Sequence, residues 1–186
     1  VPTYLWGPHG AGKTHLLRAA RAALLARGAA VGWLDADGPP QRGFQDEWDA
    51  VLMDDVHAYS AEQQHTAFNW FVNAVAPASG RPRAVLAAGA LPPADLPLRE
   101  DLRTRLGWGH VFELHMLPES ECRAVLRRAA DARGLFLSDD VMDFVLGRFS
   151  RDLGSLIELL DHLDRYALQT QRGVTIPMIK SMLQNE

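Results

Sequence analysis

Cysteine is almost absent from this sequence, in which Cys122 is the only one. An internal disulfide is therefore excluded, and the composition suits a reducing compartment such as the cytoplasm. Uninterrupted apolar runs are short as well. None approaches the roughly 18 residues that a membrane-spanning helix needs, so we expect no membrane span. No signal peptide is recognisable. These absences indicate a cytoplasmic protein in which Cys122, set within a helical pattern, is a structural residue.

The sequence also has no excess of positive charge, with 19 Lys and Arg against 23 Asp and Glu and a net charge of −4. Broad, sequence-independent DNA binding needs many cations aimed at phosphates, so we expect no strong direct DNA binding. The histidines lack metal-ligand spacing. The chain begins at Val1 without an initiator Met, directly before a short apolar run. We therefore expect that further N-terminal residues precede it in the natural protein.

Apolar runs alternate with helical patterns over the first part of the chain. Strands are predicted at 2–6, 29–35, 50–54, 83–88 and 111–114, helices at 13–27, 61–75 and 99–106, and loops at 37–46 and 77–82. Such alternation is typical of an α/β fold with a parallel sheet covered on both faces. Only helical patterns follow, at 118–132, 138–149, 153–170 and 175–183. The sequence thus predicts an α/β domain over 1–116 and a small all-helical domain over 117–186.

The segment from Gly7 to Thr14 matches the pattern G-x-x-x-x-G-K-[ST] between a predicted strand and a predicted helix. Its glycines let the backbone turn tightly, so that successive amides point at a phosphate. Lys13 would contact the β- and γ-phosphates, and the Thr14 hydroxyl would ligate Mg²⁺. The pattern predicts a site for ADP or ATP with Mg²⁺, formed by Pro8, His9, Gly10, Ala11, Gly12, Lys13, Thr14 and His15.

Two carboxylates, Asp54 and Asp55, end the third apolar run. We expect Asp54 to hold Mg²⁺, directly or through water, and Asp55 to polarise the attacking water. A solvated acidic loop would show the same pattern in isolation. The phosphate loop upstream favours the catalytic interpretation.

Arg103 and Arg105 lie two residues apart in the short helix before the fifth strand. They should point to different sides of that helix. An arginine projecting from this edge can reach a neighbouring molecule's γ-phosphate and stabilise the charge that develops on hydrolysis. From spacing alone, a surface arginine paired with Asp101 or Glu100 is the favoured interpretation of Arg105.

Together these segments resemble the AAA+ core of the DnaA family, and most closely its Hda-type branch. The resemblance rests on Tyr4-Leu5-Trp6-Gly7, the phosphate loop with His15-Leu16-Leu17, Asp54-Asp55, Gly89, Pro92-Pro93, Thr104-Arg105-Leu106-Gly107-Trp108-Gly109, Arg133-Gly134, Leu160-Asp161-His162-Leu163-Asp164-Arg165 and Thr175-Ile176-Pro177. It implies an AAA+ domain with a five-stranded parallel sheet, followed by a helical lid. It also implies that Arg105 is an arginine finger, contrary to the interpretation from spacing alone.

The resemblance further implies a biological role. Hda-type proteins act on the DNA-loaded sliding clamp of DNA polymerase III and promote hydrolysis of the ATP bound to DnaA, which prevents re-initiation. We therefore expect DnaA and the clamp as partners, and a homodimer remains open. The family docks on the clamp through an N-terminal motif that this sequence does not contain. The alternatives are a self-contained AAA+ ATPase, such as a DnaC-type helicase loader, and an assembly on single-stranded DNA.

Two positions depart from the family pattern. The DnaA relatives carry an acid where this sequence has Ala90, after the glycine that ends the fourth strand. Their lid arginine aligns with Gly154, and Arg151, one turn earlier, is a candidate substitute. Both losses affect the γ-phosphate, whereas the contacts to a diphosphate remain. We expect a protein that holds ADP well, hydrolyses ATP weakly by itself and acts in trans through Arg105.

Overall fold

The computed structural model describes residues 1–38, 43–77, 80–149 and 152–184. The chain divides into two compact units, Val1–His115 and Met116–Glu186. Parts of the predicted loops at 37–46 and 77–82 lie outside the described residues.

The first unit is built on a parallel sheet of five strands in the order β2-β3-β4-β1-β5. The strands are Thr3–Trp6 (β1), Val31–Leu34 (β2), Ala50–Met53 (β3), Ala84–Gly89 (β4) and His110–Glu113 (β5). The α-helices are Lys13–Ala26 (α1), Ala61–Val75 (α2) and Glu100–Leu106 (α3). Short 3-10 turns occupy Val56–Ala58 and Pro93–Asp95. The α/β fold predicted from the sequence is confirmed.

The central strand β3 shows why the sheet is covered on both faces. All four of its residues are buried, as in parallel strands that lie between two helical layers. Val51 and Met53 join the apolar cluster that contains Trp70 of α2, whereas Leu52 joins the cluster that contains Leu17 of α1. Since successive side chains of a strand point to opposite faces, α1 and α2 cover opposite sides of the sheet.

The strand order places the predicted functional segments at one edge of the sheet. Trp6, the last residue of β1, pairs with Gly89 of β4 and with Glu113 of β5. In turn, β4 pairs with β3, whose last residue is Met53. The chain segments that follow β1, β3 and β4 therefore begin side by side at the carboxyl edge, where ligands bind in open α/β sheets.

The second unit contains the α-helices Glu119–Ala132 (α4), Asp139–Arg148 (α5), Leu153–Thr170 (α6) and Ile176–Gln184 (α7). Ser138 caps α5 and Asp152 caps α6 through their side-chain oxygens. Cys122 is buried in the apolar core of this unit, and its thiol lies near the Leu117 carbonyl oxygen. Among the described residues no helix combines the length and the apolar character that crossing a membrane requires.

Candidate nucleotide site and arginine cluster

The backbone of the phosphate loop adopts conformations that favour glycine. Gly7, Gly10 and Gly12 have φ angles of 154°, 80° and 89°. A Cβ atom at Gly7 would overlap the Leu114 carbonyl oxygen. Gly12 is the left-handed residue directly before the first turn of α1, and Leu16 N donates to its carbonyl. Glycine is therefore needed where β1 turns into α1, and the free amides of the first helical turn face the loop.

Lys13 is folded onto the loop that it follows. Its Nζ atom donates hydrogen bonds of 2.8 Å to the carbonyl oxygens of Gly7 and Pro8. The residue is only 7% exposed. Burial lowers the pKa of Lys13, and the negative charges of Asp55 and Asp54 raise it in part. The ammonium is thus positioned by two backbone oxygens and drawn toward the acidic strand end.

Asp54 lies at the end of β3 and is 3% exposed. Burial raises the pKa of Asp54, and a hydrogen bond with the Thr14 side chain counteracts part of that effect. The nearby charge of Asp55 raises the pKa further. Asp55 has a left-handed φ of 49°, and its amide donates to Asp54 Oδ1 over 3.1 Å. The structure therefore brings together Lys13, Thr14, Asp54 and Asp55.

These residues fit a nucleoside phosphate with a divalent cation. The amides at the start of α1 and the Lys13 ammonium supply positive charge for phosphate oxygens. The Thr14 hydroxyl and the Asp54 carboxylate supply the hard oxygen ligands that Mg²⁺ prefers. Two oxygen ligands are enough, because Mg²⁺ in such sites completes its shell with phosphate and water.

The sequence reasoning did not identify a role for His57. This residue lies in the 3-10 turn after Asp55, and its Nδ1 atom accepts a hydrogen bond of 3.2 Å from the amide of Ala90. The bond joins the chain after β3 to the chain after β4. Ala90 itself offers no polar side chain. A polar residue shortly after Asp55 was the available signal, but its partner is distant in sequence.

Arg105 lies in the last turn of α3, between two aromatic rings. Its guanidinium carbon is 4.7 Å from the ring centroid of Phe68 and 5.2 Å from that of Trp108. Nη1 donates a 3.0 Å hydrogen bond to the backbone carbonyl of Asp101. Arg103 lines a separate surface depression with Pro93. The two arginines therefore have different surroundings, as their spacing predicts.

The expected pairing of Arg105 with an acidic side chain is not what the structure shows. The Asp101 carboxylate binds Arg99 instead, through Nε at 2.6 Å and Nη2 at 2.7 Å. The hydrogen bond with Arg99 lowers the pKa of Asp101. Within residues 1–38, 43–77, 80–149 and 152–184, Arg105 forms no ion pair.

The second unit contains the position predicted to lack a γ-phosphate contact. Gly154 is in the first turn of α6, and its amide donates to Asp152 Oδ1 over 2.9 Å. The candidate substitute, Arg151, lies outside the described residues.

Comparisons with known proteins agree with these features. Residues 119–183 match the family model described as Hda, lid domain. Domain III of the Thermotoga maritima replication initiation protein DnaA matches with a TM-score of 0.77 at 20% identity, covering 99% of this chain and 83% of that one. AMPPCP-bound DnaA from Aquifex aeolicus matches with a TM-score of 0.67 at 23% identity, covering 89% and 56%.

A further similar structure is the Thermotoga maritima RuvB Holliday junction branch migration motor, with a TM-score of 0.67 at 16% identity. The match covers 98% of this chain and 60% of that one, so this chain spans less than two thirds of the RuvB and Aquifex DnaA chains. The chain therefore has the fold of these DnaA and RuvB structures, with a phosphate loop between its first strand and first helix. More particularly, the first unit is similar in fold to domain III of DnaA, and residues 119–183 of the second unit match the Hda lid domain.

Proposed function

We propose that this protein binds ADP or ATP with Mg²⁺ and regulates replication initiation negatively. In this role Arg105 promotes hydrolysis of the ATP bound to DnaA, together with the DNA-loaded sliding clamp. The observation that carries the proposal is the Arg105 guanidinium, which two aromatic rings hold without an ion pair in the described part of the chain. The match of residues 119–183 to the Hda lid domain supports this role.

In the nucleotide site, different residues bind the phosphates and the cation. Lys13 neutralises phosphate oxygens, while the amides at the start of α1 donate to them. Thr14 and Asp54 hold Mg²⁺, which when bound neutralises charge on the β- and γ-phosphates. Two structures of related fold contain DnaA with AMPPCP, which supports an adenine nucleotide as the ligand.

The side chains missing around the γ-phosphate favour action in trans. Ala90 has only a methyl group, and its amide is already bonded to His57. Gly154 has no side chain at the position of the lid arginine. A protein with these residues retains the contacts to a diphosphate and loses those that promote hydrolysis of its own ATP. The nucleotide then serves to hold the protein in the state in which Arg105 acts.

One observation favours a second function. Lys13, Thr14, Asp54 and Asp55 lie close together, which would also suit hydrolysis of the protein's own ATP, as in a self-contained ATPase of the helicase-loader type. The rate of ATP turnover by the protein alone separates the two functions. Turnover typical of an independent ATPase, unchanged by DnaA, would support the second function and exclude the first.

The proposal is tested by comparing Arg105→Ala with Arg103→Ala, which removes the same charge from the same helix. Hydrolysis of DnaA-bound ATP is measured with clamp-loaded DNA. Because an arginine finger contributes about 10³–10⁵ in rate, Arg105→Ala should abolish the stimulation. Arg103→Ala should retain most of it, and both variants should bind ADP as tightly as the native protein. Stimulation by Arg105→Ala at the native level would refute the proposal.

A further inference from the structure

Phe68 of α2 is shared by two guanidinium groups. The guanidinium carbon of Arg99 lies 5.0 Å from the centroid of the ring, and that of Arg105 lies 4.7 Å from it. The two guanidinium groups differ in whether a carboxylate pairs with them. Arg99 is neutralised by Asp101, whereas Arg105 is held by Phe68, Trp108 and the Asp101 carbonyl.

The spacing of Asp101 and Arg105 makes that difference unexpected. They stand at i and i+4 of one helix, where an aspartate and an arginine are neighbours and commonly form an ion pair. The Asp101 carboxylate instead forms a bidentate pair with Arg99, which engages both of its oxygens. The same carboxylate also accepts from the amide of Leu102 over 2.8 Å. Three of the roughly four acceptor positions of the carboxylate are therefore occupied, and the hydrogen bond of Arg105 goes to the backbone carbonyl of Asp101.

A guanidinium without a carboxylate remains available to another anion. Cation–π contacts with Phe68 and Trp108 limit its rotamers without neutralising its charge. Trp108 is 62% exposed, so the cluster lies at the surface of its unit. A bidentate contact between arginine and phosphate is strong once the guanidinium is oriented and unpaired.

We propose that Arg99 is a positioning residue for Arg105: by engaging the Asp101 carboxylate, it prevents Asp101 from pairing with Arg105. The Arg105 guanidinium, held between Phe68 and Trp108, is thereby kept for a phosphate of a neighbouring molecule's nucleotide. This inference rests on the proposed function of Arg105 in trans.

The test uses Arg99→Gln, Asp101→Asn and the double variant that combines them, with Arg103→Gln as the charge-matched control. Stimulated hydrolysis of DnaA-bound ATP is measured below saturation. In Arg99→Gln the freed carboxylate pairs with Arg105, and stimulation should fall about twofold, the size expected for an i, i+4 ion pair. In the double variant, Asp101→Asn removes the competing carboxylate, and stimulated hydrolysis should return toward the native level. Arg103→Gln should stay near the native level.

Phe68→Leu provides an independent measure of the aromatic contact. Loss of one cation–π contact should lower stimulation about fivefold. Phe68→Tyr should retain native stimulation, because the aromatic ring is kept.

A direct readout of the exchange of partners is the titration of the Asp101 carboxyl followed by NMR. In Arg99→Gln its pKa should stay below the usual value, because Arg105 takes the place of Arg99. Adding Arg105→Ala to that variant should raise the pKa toward the usual value but not fully to it, because the hydrogen bond from the Leu102 amide remains.

The inference is overturned if the double variant is as impaired as Arg99→Gln, since Arg99 would then act by its own contact. It is also overturned if Arg99→Gln stimulates at the native level. Native stimulation by Arg105→Ala would have a different meaning, because the proposed function itself would fail and this inference with it.

Discussion

The Thr14 side chain lies close enough to the buried Asp54 carboxylate to lower its pKa, so the two predicted Mg²⁺ ligands are neighbours. One follows β1 through the phosphate loop, and the other follows β3. The fold thus brings two oxygen ligands from separate chain segments to one place at the edge of the sheet. The Thr14 side chain offsets only part of the effect of burial, since the pKa of Asp54 remains raised.

Asp54→Asn should therefore stabilise the nucleotide-free protein at neutral pH. A carboxyl with a folded pKa above its unfolded value stabilises the fold only below the unfolded pKa, and that contribution is lost as the pH rises through the folded pKa. At neutral pH the charged, buried Asp54 carboxylate therefore lowers the free energy of unfolding, by about 1.4 kcal/mol for each unit by which its pKa is raised. Asparagine removes this effect. Urea unfolding should show this gain at neutral pH and little difference near about pH 4.

The same variant should lose the effect of Mg²⁺ on nucleotide binding, because an amide is a poor ligand for this cation. Isothermal titration with ADP, with and without Mg²⁺, measures that effect. Asp95→Asn, an exposed acid in the second 3-10 turn, serves as the control and should behave as the native protein. Equal effects of Mg²⁺ on Asp54→Asn and the native protein would contradict the assignment of Asp54.

Lys13→Met should separate folding from nucleotide binding. Burial lowers the pKa of Lys13, so methionine removes the cost of a buried charge, but it also removes two hydrogen bonds to backbone carbonyls. The two effects oppose each other, and the unfolding temperature of the nucleotide-free protein should change little. Without the ammonium, stabilisation by ADP should disappear. That stabilisation amounts to about 2.7 kcal/mol at a ligand concentration one hundred times Kd. Thermal unfolding with and without ADP measures both effects.

Lys180→Met is the matched control for this experiment, since Lys180 is the only other lysine in the sequence. Its Nζ atom lies over the ring of Phe144 in the second unit. The variant should keep the full shift with ADP. A full shift in Lys13→Met as well would show that the phosphates are held without Lys13.

Gly7→Ala should disrupt both the fold and the site. The alanine Cβ would overlap the Leu114 carbonyl oxygen, and the φ angle of 154° is unfavourable for a residue with a side chain. Because the obstacle is backbone after β5, the sheet edge must move, and we expect a loss of about 2 kcal/mol or more. Gly147→Ala is the control, since a Cβ in α5 meets no atom within 4 Å. It should be neutral or stabilising by up to about 1 kcal/mol. Equal urea midpoints for the two variants would contradict the geometry.

Local signals in the sequence were sufficient for most elements. The helix predicted at 61–75 agrees with α2 at both ends, and its start is fixed by the capping box of Ser60 and Gln63. The helix predicted at 153–170 likewise agrees with α6, which Asp152 caps. The last strand was predicted at 111–114 but spans His110–Glu113. Its start depends on a bond from the His110 amide to the Pro2 carbonyl, which local sequence does not reveal.

The candidate site was predictable only where its residues are contiguous in sequence. The phosphate loop is one contiguous segment, so its pattern identifies the residues directly. The surroundings of Arg105 were not predictable, because Phe68 belongs to another helix and Arg99 competes for the acid that spacing alone assigns to Arg105. Contacts of this kind depend on how helices pack, which neither spacing nor composition specifies.

The bond between Ala90 and His57 gives a last prediction. His57→Phe keeps a ring of similar size but removes the acceptor of the Ala90 amide, which is partly buried. A buried donor left without a partner costs about 1–3 kcal/mol, and partial exposure places the expected loss near the lower limit. In His57→Asn, the Oδ1 atom occupies the same branch position as Nδ1 and can accept the bond. Urea unfolding should therefore show destabilisation by phenylalanine and substantial rescue by asparagine. If both variants are equally destabilised, packing of the imidazole rather than its acceptor atom connects β3 to β4.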